Sequence, residues 1–118
     1  MTVEASIFAL LSPLVGARVF PDEAPFDTPR PYVIYQQIGG LVIRPLAKEV
    51  PNKQNGFFQV AVWSDRRAEA DALALQIEAA FITATAFDAK PMAGPTSASD
   101  ADLKRYGKHQ DFSIWSDR

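Results

Sequence analysis

Asn55-Gly56-Phe57-Phe58-Gln59-Val60-Ala61-Val62-Trp63 runs directly into Ser64-Asp65-Arg66-Arg67-Ala68-Glu69-Ala70-Asp71-Ala72-Leu73. The first half is a strand by composition, with Asn55-Gly56 reading as the turn that starts it. Phe58, Val60 and Val62 fall on one face, and Phe57, Gln59, Ala61 and Trp63 on the other. The second half switches to helical spacing. Ser64 or Asp65 is placed to cap a helix that runs to about Thr83. Along it, Leu73, Ile77, Ala80 and Phe81 make one apolar face, and Ala68, Ala72, Leu75, Ala79 and Ile82 make a second. Charge is confined to narrow strips at Glu69 and at Asp71 and Glu78. A helix apolar on two sides is covered on two sides: one by the sheet, the other by a second helix or by another subunit.

Working towards the N-terminus, Tyr32–Ile38 reads as another strand, stopped by Gly39-Gly40. Between the two strands lies Leu41–Gln54, too long for a tight hairpin. This segment carries apolar Leu41, Val42 and Ile43, and basic Arg44, Lys48 and Lys53 against the single acid Glu49. It reads as a protruding arm. Four prolines between Pro21 and Pro31 exclude a helix or a central strand there. That stretch reads as an extended connection anchored by Val19, Phe20 and Phe26. From Thr2 to about Val15 the spacing of Val3, Ile7, Leu10, Leu11 and Leu14 predicts an amphipathic helix, capped by Thr2 and interrupted near Pro13.

Working towards the C-terminus, Phe87–Met92 is a short strand and Ala93–Asp102 a loop by composition. Tyr106–Trp115 is the last strand. The expected fold is one α+β domain over residues 1–118. Two helices pack on one face of a small, mainly antiparallel sheet of about four strands, in the order α-β-β-α-β-β.

The 118 residues can bury about two thirds of the unfolded surface. Twelve basic and 14 acidic residues give a net charge of −2, the wrong balance for a general nucleic-acid or membrane-surface binder. Cysteine is absent and His109 is the one histidine, so thiol chemistry, a His-rich metal site and a Ser-His-Asp triad lack their parts. No apolar run approaches the roughly 18 residues of a membrane span. Glu4 stands where a signal peptide carries bases. Asp22, Glu23 and Asp27 lack the spacing of a calcium loop. No catalytic, cofactor or metal residue is assigned.

Two rival functions each have residues to carry them. A small-ligand or enzymatic domain would use His109, Asp111 and Tyr106. A nucleic-acid module would use Arg44, Lys48 and Lys53, with Tyr32, Tyr35, Trp63 and Trp115 as a stacking platform. The arm and the two-faced helix favour a protein built for contact with other proteins.

A resemblance supports that preference. Arg18-Val19-Phe20-Pro21, Ala24-Pro25 and Pro31-Tyr32-Val33-Ile34-Tyr35-Gln36 resemble the opening of the small tail-completion proteins (tail-terminator, head–tail joining) of long-tailed bacteriophages and prophages. Phe58–Trp63, the helix from Ala68 and the closing Gln110–Trp115 are similar to later parts of the same family, in the same order. The resemblance implies a non-enzymatic virion component assembled in the bacterial cytoplasm. Its implied form is a ring, commonly a hexamer, that caps the tail tube and meets the head connector. DNA would pass through the lumen without specific binding, which suits a mildly acidic protein. The implied subunit interface falls on Leu75, Ala79 and Ile82 and on Leu41, Val42 and Ile43. Arg44, Lys48 and Lys53 would lie towards the axial partners or the DNA.

Overall fold

The computed structural model describes all 118 residues. The first helix, α1 (Val3–Leu11), starts where Thr2 Oγ1 accepts the amide of Ala5 at 3.1 Å. That contact satisfies one of the donors a helix start leaves free. α1 ends two residues before Pro13, and Ser12–Leu14 tighten into a single 3-10 turn. Ile7 and Leu11 are fully buried, with Val3, Leu10 and Leu14 partly so, as the spacing predicts.

Six strands follow: β1 (Val19–Pro21), β2 (Tyr32–Gly39), β3 (Lys53–Ser64), β4 (Asp88–Pro91), β5 (Thr96–Asp100) and β6 (Arg105–Asp117). The second helix, α2 (Arg67–Thr83), lies between β3 and β4. The sheet order is β1-β2-β3-β6-β4, and β5 also pairs with β6. β4 takes the stretch of β6 around Phe112–Trp115 and β5 the stretch Arg105–His109. All pairings are antiparallel except β1 with β2. Neither helix is long and apolar enough to cross a membrane.

The expected α+β class with two helices holds, but the sheet is mixed and has six strands rather than four. Two local causes account for the difference, and a third feature lengthens β3. β1 is too short and proline-bound to read as a strand, yet an edge position tolerates Pro21 because no ladder donor is needed there. β5 has the sequence Thr-Ser-Ala-Ser-Asp, which reads as loop. It pairs through its backbone with the free edge of β6 while most of its side chains stay in solvent. Asn55-Gly56 is no turn: both residues lie inside β3, opposite Trp115 and Ile114. Their side of the strand supplies the reason. Asn55 is buried and spends its amide on Leu41, Ser113 and Ile114, so a turn-forming residue becomes a strand residue through specific hydrogen bonds.

The core lies between the helices and one sheet face. Val33, Tyr35, Phe58, Val60, Val62, Phe112 and Ile114 meet Leu73, Ala74, Ile77 and Phe81 of α2 and Ile7 and Leu11 of α1. Of the proposed anchors, Val19 is buried and Phe20 partly so, but Phe26 is 94% exposed. Proline stiffness holds its loop in place of side-chain burial, helped by a bond from Arg18 Nε to the Pro31 carbonyl at 2.8 Å.

Tyr35 gives the core a pH response. Burial pushes its phenol above the ordinary value of 10.0, and the carboxylates of Glu4 and Asp22 push it further. The folded state therefore favours the neutral phenol. Its contribution is whole below the unfolded value and is lost as pH rises through the raised folded value, since the unfolded chain ionises first. Urea unfolding at about pH 8 and about pH 11 should show the wild type losing more stability than Tyr35→Phe. Equal losses in the two proteins would refute the assignment.

Candidate subunit and partner interface

α2 presents two different sides. Ala70, Leu73, Ala74, Ile77 and Phe81 are buried against the sheet. On the other side Leu75 is 66% and Ile82 56% exposed, and Ala68, Ala72 and Ala79 are exposed as well. α1 leaves that side uncovered, so within one chain nothing buries it. Positions 68, 72, 75, 79 and 82 alternate steps of four and three, the spacing of a helix seam that packs on another surface. The flanking acids turn away from the strip: Asp71 pairs with Lys108 at 3.5 Å, and Glu78 Oε2 accepts from Gln110 Nε2 at 2.7 Å.

The arm is the second unsatisfied surface. Leu41 is 55%, Val42 93% and Ile43 37% exposed, and Leu46 and Val50 are more exposed than Leu41. Scattered apolar residues are ordinary on a surface, whereas five in ten consecutive positions on one projection are not. The base of the arm is built with care. The amide of Leu41 donates to Asn55 Oδ1 at 2.9 Å, and Asn55 Nδ2 donates to Ser113 Oγ at 3.0 Å. At Gly40 a Cβ would lie 2.4 Å from the Asn55 carbonyl oxygen, so only glycine fits that approach. Arg44 and Lys48 are exposed on the arm and make no ion pair. Lys53 does not belong with them. It is the first residue of β3, opposite Asp117, and pairs with that carboxylate, which holds the Asp117 carboxyl below its usual range. The projecting segment therefore carries two of the three expected cations.

The residues of the rival sites are not brought together. On β6, His109 and Asp111 point to the face opposite the helices, whereas Tyr106 has the other parity and sits under the Arg67 guanidinium, 5.5 Å from its ring centre. No group of three or more potential metal-binding side chains forms. The aromatic platform is likewise split: Tyr35 faces the helices and is buried, while Tyr32, Trp63 and Trp115 have the opposite parity. Trp63 is occupied within the chain. Arg105 lies 4.2 Å over its ring and donates to the Tyr32 hydroxyl at 2.5 Å, and Gly107 packs so closely that a Cβ there would come within 3.0 Å of the indole.

One feature of the surface lies outside the sequence reading. The proline-rich loop stands off the open sheet face and leaves a cleft of about 660 Å3. Phe26, Ile34, Leu103 and Arg105 line it together with Glu23 and Asp27. The sequence signal for it is the density of prolines, which marks a stiff connection but not that it forms a wall.

The sequence profile described as Tail completion protein gp17 matches residues 5–116. Among curated proteins none matches. A solved structure of 14% identity superposes with a TM-score of 0.56, covering 98% of this chain and 89% of its own. At that identity the likeness shows the fold alone.

Proposed function

We propose, from the premise that the chain belongs to the phage tail completion protein family, that it works as a ring. Membership makes it a structural component of the virion tail. The ring, a hexamer on this reading, assembles in the bacterial cytoplasm, caps the tail tube and joins it to the head connector. DNA passes through its lumen without sequence-specific contact. The observation that carries the reading is the exposed seam of α2, an apolar strip with no cover inside the chain. Cyclic assembly needs surfaces of this kind, because head-to-tail contacts close a ring only if each subunit offers unsatisfied patches to its neighbours.

Light scattering across a wide concentration range, with and without purified tail tubes, tests this. Wild type should give a discrete mass near six subunits, alone or on tube ends. Leu75→Asp and Ile82→Asp should remain at the 13.0 kDa monomer in both conditions. Both positions are more than half exposed, so unfolding free energies should change by no more than about 0.5 kcal/mol. A wild type that never assembles, even on tubes, would end the ring reading. Assembly of both variants at wild-type concentrations would remove the α2 seam from the interface.

A further inference from the structure

The arm and the cleft sit at opposite ends of the subunit. The arm joins the end of β2 to the start of β3, whereas the cleft is built on the start of β2, the residue after β3 and the start of β6. Tyr32 and Gly39, which mark the two ends on β2, are separated by about 23 Å of strand. β3, at about 36 Å, runs along the 53 Å axis, since the other extents are 26 and 24 Å. Paired strands hold the ends apart, so an arm cannot fold back into its own cleft.

The two surfaces match in chemistry. The arm offers exposed leucine, valine and isoleucine side chains with the unpaired cations Arg44 and Lys48. The cleft offers exposed Phe26 and Leu103, at 94% and 53%, with the unpaired carboxylates Glu23 and Asp27. Its own cations are already engaged. Arg30 pairs with Asp65, and Arg105 is held by Asp100, Tyr32 and Trp63. The charge left for a visitor at the cleft is therefore negative, and the charge left on the arm, with Glu49 set against Arg44 and Lys48, is one net positive.

We infer that the arm of one subunit docks into the cleft of a second copy, with Arg44 and Lys48 against Glu23 and Asp27 and the arm's apolar side chains against Phe26 and Leu103. This is a heterologous contact: each copy uses one end to give and the other to receive. The inference rests on the ring reading for its closure but not for its contact. The native chain lacks cysteine, which makes the test clean. Copies carrying Ala47→Cys are mixed with copies carrying Ala24→Cys, which lines the cleft, and treated with a short bis-maleimide. Neither alanine is buried and neither is an apolar anchor of the contact, so both variants keep the fold and the docking surfaces.

The expected result is a covalent dimer in the mixture and at least about tenfold less from either variant alone. The double reversal Arg44→Glu, Lys48→Glu should abolish the cross-link, and adding Glu23→Lys, Asp27→Lys to the partner copy should restore it. Rings that form without this cross-link would overturn the docking and leave the ring reading standing. Cross-linked chains that never reach a closed mass would uphold the docking and count against the ring. A protein that stays monomeric and uncross-linked would overturn the docking, with the ring then judged on tail tubes.

Discussion

Phe112→Ala is expected to cost about 3–5 kcal/mol, a large share of what a domain of this size has. Phe112 is fully buried in β6, where β3 pairs on one side and β4 on the other. Its ring stacks on Phe81 of α2 at 4.3 Å between centres, and Phe81 stacks in turn on Phe87 at 5.9 Å. One side chain thus ties the sheet centre to the helix and to the segment that leads into β4. Truncation removes the transfer energy of a phenyl group, leaves a cavity beside Phe58 and Phe81, and deletes a stacked pair that adds about 0.5–1.5 kcal/mol beyond area. The melting temperature should fall on the order of 10–20 °C. Phe112→Leu, which fills more of the space, should lose clearly less. A loss below about 1 kcal/mol for the alanine variant would mean that the stack contributes little and that the core is held elsewhere.

The elements that could be read from sequence are those where local pattern and burial agree. α1, α2 and the central parts of β2, β3 and β6 have apolar residues at the period of their own geometry. The proline break after α1 follows from chain sterics alone. What could not be read depends on partners distant in sequence. β5 is a strand only because β6 has a free edge beside it. Asn55-Gly56 is strand rather than turn only because Leu41, Ser113 and Ile114 take up the asparagine amide. Lys53 leaves the arm because Asp117, more than sixty residues away, pairs with it. The residues proposed for the interface divide along the same line. Leu75, Ala79 and Ile82 follow from periodicity, since a second apolar stripe is visible in a helical wheel. The cleft does not, because its wall is a proline-rich loop whose one large apolar side chain, Phe26, faces solvent instead of anchoring it.

Ile77→Asp should unfold the chain, although Leu75→Asp two residues earlier should leave it intact. Ile77 is 4% exposed in the core, between the sheet and the rest of α2. An aspartate there must either lie ionised in an apolar setting or take up a proton, since Lys108, which lines the same small cavity, is already paired with Asp71. The penalty adds to the lost isoleucine packing and exceeds about 4–5 kcal/mol, enough to consume most of a marginal domain's stability. Circular dichroism should show a largely unfolded protein at neutral pH, with partial recovery as pH falls and the new carboxyl is neutralised. Leu75 lies about 200° around the helix from Ile77, where an added charge meets water. The pair therefore separates two uses of apolar side chains on one helix. Leucine at 75 contributes nothing to the stability of the single chain that a polar residue would not match. Beside Ala79 and Ile82 it forms a strip that the proposed ring would bury after folding. Should Leu75→Asp unfold the monomer as Ile77→Asp does, the strip would belong to the core, and the case for a second copy on α2 would fall with it.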